Sequence, residues 1–285
     1  MDRAQAVAVI TALLLAGCGH RTAIVVGSKN FTEQVLLGEI LAQQIERKLG
    51  VPVERQFDLG GTLLAHEALV RGSIDLYPEY TGTALTAVLK RPAQSDPQVV
   101  YDAVRDGYHG QWRLAWLRPF GFNNTFAMIV RKEENLPTLS AASAAHPWRL
   151  GMGYEFRQRP DGLAGLLQAY PLRLSGEPAT MDLGLLYTAL DSRQVDMIAA
   201  NSTDGLIAVR NVTVLDDDRH YFPPYQCAAV VREDTLARFP SLRGALEGLS
   251  GRLPDAVMRE LNYQVDGLHH PAAEVAQGFL RTVPQ

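Results

Sequence analysis

Cysteine is nearly absent from this 285-residue chain: there are two, Cys18 and Cys227. Two cannot build a disulfide scaffold, and Cys227, inside the apolar run 227–231, reads as a small core residue rather than a nucleophile. Charge of one sign is also lacking. Lysine and arginine number 27 against 31 acidic residues, for a net charge of −4 with the signs interspersed, so the basic field of a nucleic-acid binder is excluded. No linker or low-complexity stretch longer than a few residues separates one part from another. Catalytic signatures are missing too. There is no G-x-S-x-G elbow, no H-E-x-x-H pair and no phosphate-loop frame around Lys29, and nothing sets His66 or His220 beside a serine. The adjacent His269 and His270 would face different ways on a helix and make a poor metal site. Neither an enzyme nor a metal or cofactor protein is expected.

What is present begins with a leader. Residues 1–18, MDRAQAVAVITALLLAGC, set Arg3 before an apolar core from Ala6 to Leu15. That core is shorter than the about 20 residues needed to span a bilayer, so it reads as a secretory signal. Leu15-Ala16-Gly17-Cys18 has the form of a bacterial lipobox, with Cys18 as the lipidated residue. The body is then expected outside the cytoplasm, tethered to a membrane surface only through its lipid. Its length, with 47% hydrophobic and 20% charged residues, suits two globular domains.

Within the body, a β-branched run at Ile24–Val26 breaks at Gly27-Ser28 before helical spacing of Val35, Leu36, Ile40, Leu41 and Ile45. This sets Lys29, Asn30 and Thr32 at a helix amino terminus, where backbone N–H groups attract anions. A second strand, 53–57, leads through Gly60-Gly61-Thr62 into another helix. The chain then echoes itself. Ala68-Leu69 and Ile74-Asp75 match Ala189-Leu190 and Val195-Asp196 at an offset of 121, which places Tyr80 opposite Asn201. The strand and turn of 24–31 similarly match 149–156 at an offset of 125. Two similar α/β lobes follow, with the chain crossing between them near 120–131 and returning near 212–231. The helical carboxyl end, from Thr235 on, is expected to pack on both lobes near the hinge.

The stretch 75–83, DLYPEYTGT, crowds Tyr77, Glu79, Tyr80, Thr81 and Thr83 onto what reads as a turn after a short strand at Ile74–Leu76. Such a cluster suits a pocket at the carboxyl edge of an open sheet. Together with GSKNFTEQ, LGGT, GFNNTFA and FPPYQ, in that order, it resembles the substrate-binding lipoproteins of osmoprotectant ABC importers, the binders of glycine betaine, choline and carnitine of the ProX and OpuBC type. The likeness runs from about Val25 to Arg232.

The resemblance implies a type II periplasmic-binding-protein fold, α/β and two-lobed, with a ligand cleft and a hinge of two crossing segments. Lobe I would hold residues 22–118 and 216–285, and lobe II residues 119–215. It further implies a monomer that captures a quaternary ammonium solute and delivers it to a permease and its ATPase. Carried over by position, Tyr80, Phe126 and Tyr225 would form the aromatic cage, since a quaternary ammonium ion offers no hydrogen bond and is held by π-faces. Lys29, Thr83 and Arg159 would take the carboxylate, for which a guanidinium fork is suited. Tyr221 rivals Tyr225, and Arg157 rivals Arg159. Tyr77 is expected beneath the turn, Glu79 is placed equally well in capping or in ligand contact, and Tyr170 and Tyr187 are expected in the core. Two positions depart from the family pattern: Phe126 replaces a tyrosine, and Asn201 replaces the aromatic residue of Y-S-T-D-G. An amide in place of an aromatic wall implies weaker glycine betaine binding, or a larger ligand such as ergothioneine, carnitine or a choline-type compound, whose extra polar group meets Asn201. A sensor lipoprotein with the same fold is the other reading.

Overall fold

The computed structural model describes residues 23–283. The leader and Cys18 therefore lie outside the described residues. Strands β1 (Ile24–Gly27), β2 (Val53–Gln56), β3 (Leu76–Tyr80) and β4 (Leu114–Trp116) come first. A second set follows: β5 (Phe126–Arg131), β6 (Leu150–Met152), β7 (Ala179–Thr180), β8 (Met197–Asn201) and β9 (Val212–Val214). The chain then returns as β10 (Cys227–Arg232). Two five-stranded sheets result, in the orders β2-β1-β3-β10-β4 and β7-β6-β8-β5-β9. The architecture is α/β with two similar units, as the internal echo implied.

The echo is exact in the sheets. β3 and β8 are each third in their sheet and lie 121 residues apart end to end. Each pairs antiparallel with the strand that crossed from the other half. Tyr80 lies opposite Cys227, and Asn201 lies opposite Phe126. Side chains alternate across each sheet and feed an apolar layer on either face. Ile24 and Val26 join one cluster with Leu36, Ile40 and Leu41, whereas Val25 joins Leu69, Ile74 and Tyr77 on the opposite face. In the second sheet, Met128 and Val130 face Trp148 and Leu150, and Ala127 and Ile129 face Leu186 and Leu190. Each fully buried Val, Ile or Leu contributes roughly 1.5–3 kcal/mol.

Helices cover those faces. α1 (Thr32–Leu49) follows β1 and stops at Gly50, whose φ of +65° suits the left-handed cap. α2 (Thr62–Val70) follows β2. α3 (Pro97–Trp112) starts with Asp96 accepting from the Gln98 and Val99 amides and with proline in its first turn. α4 (Tyr154–Gln158) follows β6, and α5 (Leu186–Asp191) precedes β8. α6 (Asp255–Asp266) starts behind the first sheet and reaches the second, where the Asn262 amide donates to the Thr203 carbonyl at 2.9 Å.

One local expectation fails. Ile74–Leu76 is not the strand with a turn behind it; the strand is Leu76–Tyr80, and it contains Pro78. Register explains why proline is tolerated. β1 pairs with β3 only at Val26–Leu76, so beyond that point β10 alone flanks Pro78, much as at a sheet edge. The Thr81–Thr83 turn and a π-helical turn at Ala84–Val88 follow directly.

Candidate functional site

The two chain crossings lie side by side. Asn123 bridges Gln226, the Asn124 amide donates to the Tyr225 carbonyl at 3.1 Å, and the Tyr225 amide donates to Asn123 Oδ1 at 2.6 Å. In front of this double crossing, between the carboxyl ends of β3 and β8, lies a cavity of about 630 Å³. That is an ordinary volume for a small-molecule site. Lys29, Tyr80, Thr83, Phe126, Arg159, Asn201 and Tyr225, drawn from well-separated stretches of the chain, all contribute to its wall. Tyr221 and Arg157 do not. The Tyr221 hydroxyl donates to the Pro160 carbonyl, and Arg157 lies exposed beside Glu177 at 3.4 Å.

One end of the cavity is built from charges that cancel. Arg159, 9% exposed, directs Nε and Nη2 to Asp161 at 2.9 and 2.5 Å, while Nη1 donates across the cleft to the Thr83 hydroxyl at 2.9 Å. Asp161 also accepts from Thr86 at 2.9 Å and from the Tyr225 hydroxyl at 2.5 Å. Burial opposes the charge on both partners. Their mutual attraction outweighs it, so the guanidinium is held above its ordinary value and the Asp161 carboxyl below its own. The guanidinium carbon lies 4.9 Å from the Phe126 ring centre and 5.6 Å from that of Tyr225.

Lys29 repeats the arrangement at the first sheet. Only 2% exposed, it binds Glu79 at 2.6 Å, and its ammonium lies 4.7 Å from the Tyr80 ring centre. Glu79 is fully buried, accepting also from the Tyr77 hydroxyl at 3.0 Å and the Tyr80 amide at 2.7 Å, so its role is to hold this corner together. Tyr77 is buried beneath it, as expected. The aromatic faces expected to meet a ligand cation thus already carry the protein's own cations on one side. Each cation is neutralised by a neighbouring carboxylate.

Elsewhere the wall holds carboxylates that pair with no lysine or arginine. Glu33 accepts four hydrogen bonds, from Tyr80 (2.7 Å), Asn124 (2.7 Å), Thr203 (2.5 Å) and Asn262 (2.7 Å). Burial raises its pKa in spite of those donors. Through it the first sheet, a crossing segment, the second unit and α6 meet at one atom pair. Asp204 accepts from the Asn201 amide at 3.1 Å and the Tyr187 hydroxyl at 3.2 Å. Burial, with Glu33 and Asp266 nearby, pushes its pKa up to about 7. Asp266 accepts from the Thr32 hydroxyl at 2.6 Å and is raised by burial as well. Among the described residues, none of these three carboxylates pairs with lysine or arginine.

Tyr187 corrects an expectation. Its ring is buried in the core as its helical spacing implied, but its tip reaches the cavity because Asp204 accepts from the hydroxyl. Tyr170 stays in the core, donating to Asp217 at 2.5 Å. Sequence reasoning missed Glu33, Asp204 and Asp266. The first two stand inside motifs that it singled out, GSKNFTEQ and N-S-T-D-G, and only their lack of a cation, a tertiary property, marks them. The mouth is closed by Glu155, which accepts from the Thr62 amide and hydroxyl at 2.5 and 3.1 Å. Gly61 makes room for it, since a Cβ there would lie 2.6 Å from Glu155 Oε1.

Residues 22–282 match the substrate binding domain of ABC-type glycine betaine transport systems. The chain belongs to that family. It is 32% identical over 272 residues to the carnitine transport binding protein OpuCC of Listeria monocytogenes (strain 10403S), covering 93% of this chain and 88% of that one. It is 35% identical over 263 residues to the ergothioneine transport permease/ergothioneine binding protein EgtU of Helicobacter pylori (strain G27), covering 90% of this chain. The chain spans about half of that relative's length, 47%. A crystal structure described as a glycine betaine/carnitine/choline ABC transporter superposes with a TM-score of 0.76 at 31% identity, over 90% of this chain and 97% of the other. The chain is therefore a solute-binding domain with a type II periplasmic-binding-protein fold. No helix among the described residues is long and apolar enough to cross a membrane.

Proposed function

We propose that this domain captures a quaternary ammonium solute of the glycine betaine, choline and carnitine class in its cleft and presents it to an ABC permease driven by an ATPase. One observation carries the reading: seven motif residues, distant in sequence, wall a single cavity between the two sheets. The trimethylammonium group rests against the faces of Tyr80, Phe126 and Tyr225 that Lys29 and Arg159 leave open. Because Glu79 and Asp161 neutralise those two cations, the ligand's positive charge is not repelled. Its carboxylate lies toward Thr83 and the outer N–H groups of Arg159. Lipidation at Cys18 tethers the domain, as a monomer, to the outer face of a membrane.

Import follows from cleft closure. Thr62–Glu155, Thr83–Arg159 and Thr86–Asp161 bridge the two sides, and a ligand stabilises this state only as far as it binds the closed form better than the open one. The test is calorimetric titration of the purified protein with glycine betaine, choline, carnitine and ergothioneine. Saturable binding of at least one, abolished by Tyr80→Ala, is expected. No heat with any of them from folded protein overturns the reading.

A further inference from the structure

Resting on that reading, we infer that Glu33 is the counter-charge of the ligand's quaternary ammonium group, and that it makes the site select a cation over a neutral solute of the same shape. The two cations of the wall are already spent, Lys29 on Glu79 and Arg159 on Asp161. Glu33 also helps wall the cavity, is 4% exposed, and pairs with no lysine or arginine among the described residues.

Its hydrogen bonds are those of an anion. Oε1 accepts from the Tyr80 hydroxyl and the Asn124 amide, and Oε2 accepts from the Thr203 hydroxyl and the Asn262 amide. The Asn262 amide donates to the Thr203 carbonyl as well, which fixes which way it points. With two donors aimed at each oxygen, a carboxyl proton would have to turn one of them away. Glu33 also stands in the first turn of α1, where the helix dipole favours negative charge. Burial still opposes that charge, and neutral donors offset only part of the cost. A cation entering the cavity offsets more of it. Asp204 and Asp266 take their hydrogen bonds from Asn201, Tyr187 and Thr32, whereas Glu33 takes the hydroxyl of a cage ring, Tyr80. A trimethylammonium group on that ring lies about one ring's length from the carboxylate. It offers no N–H, so the attraction acts through charge alone and adds to that of the π-faces.

The experiment titrates the purified protein with two pairs of ligands that differ only in charge: choline with 3,3-dimethylbutan-1-ol, and glycine betaine with 3,3-dimethylbutanoate. Ligand-observed NMR reads the weaker members. In the parent the ammonium member of a pair is expected to bind about tenfold or more tightly than its carbon isostere. Glu33→Gln is expected to weaken the ammonium members about tenfold and the isosteres about twofold or less. Glu33→Asp, which keeps the charge and withdraws it by one methylene, is expected to recover part of the ammonium affinity; if Glu33→Gln does not fold, the same comparison is made with Glu33→Asp against the parent. Equal losses for both members of a pair, unchanged ammonium affinity in Glu33→Gln, or no recovery in Glu33→Asp overturns the inference and leaves the quaternary ammonium reading standing. If folded parent protein binds no quaternary ammonium ligand, both fail together.

Discussion

The two ends of the cleft solve opposite electrostatic problems. At the Arg159 end every buried charge has its counter-charge within the protein: Arg159 with Asp161, and close by Lys29 with Glu79. At the Asp204 end three carboxylates approach one another with hydroxyls and amides as their only donors. The first end is complete before a ligand arrives. It gives fixed geometry and little electrostatic demand, since a buried pair at best offsets its own desolvation. The second holds its charge only against burial, and protonation relieves it.

The contrast is broken most severely by Asp161→Asn. It leaves the buried Arg159 guanidinium with only the half-exposed Glu155 carboxylate, 3.9 Å away, as counter-charge, and a loss of about 3 kcal/mol is expected in urea denaturation. A cleft that tolerated this change would mean that the Arg159 end is solvated and not preorganised. Next in size is Gly61→Ala. The added methyl displaces Glu155 from the Thr62 amide, so closure should weaken, with ligand affinity falling about tenfold while the melting point of ligand-free protein moves little. Titration calorimetry beside thermal melting separates the two.

The other end is sharpened by pH. An unfolded aspartate titrates near 3.9, whereas folded Asp204 sits at about 7. Between those values the folded chain holds a proton that the unfolded chain has lost. The stability this group contributes is therefore full below about 3.9 and is lost as pH rises through about 7. Thermal melting should show a decline from about pH 5 to about pH 8 that is smaller in Asp204→Asn than in the parent. A variant with an unchanged pH profile would place Asp204 in water. The smallest effect is expected from Tyr221→Phe, whose hydroxyl makes one long 3.4 Å contact at the surface. Stability and affinity should stay within about 0.5 kcal/mol.

Much of the fold was legible because its signals are local or periodic. The β-branched run at Ile24, the helical spacing from Val35 to Ile45 and the offset of 121 residues each survive in the chain without knowledge of contacts. Less was legible where neighbours decide. Pro78 reads as a turn residue by propensity, yet it lies within a strand because β10 supplies the pairing. Tyr187 reads as core by spacing, and does pack there, but its hydroxyl ends at Asp204. Glu33 carries no mark in sequence that separates it from any acidic residue in a first helical turn, and Tyr80, Asn124, Thr203 and Asn262 converge on it from four distant stretches.

The sequence by itself determined the family, the two similar α/β halves and seven of the residues that wall the cavity, because strand periodicity, turn chemistry and motif order are carried along the chain. Only the tertiary structure decided how those residues are employed. It paired Lys29 with Glu79 and Arg159 with Asp161, chose Tyr225 and Arg159 over Tyr221 and Arg157 for the wall, and left Asp204 and Asp266 without a lysine or arginine partner among the described residues. The physical reason is distance. Charge compensation and desolvation act over a few ångströms in space, and sequence separation does not encode which carboxylate will lie beside which cation.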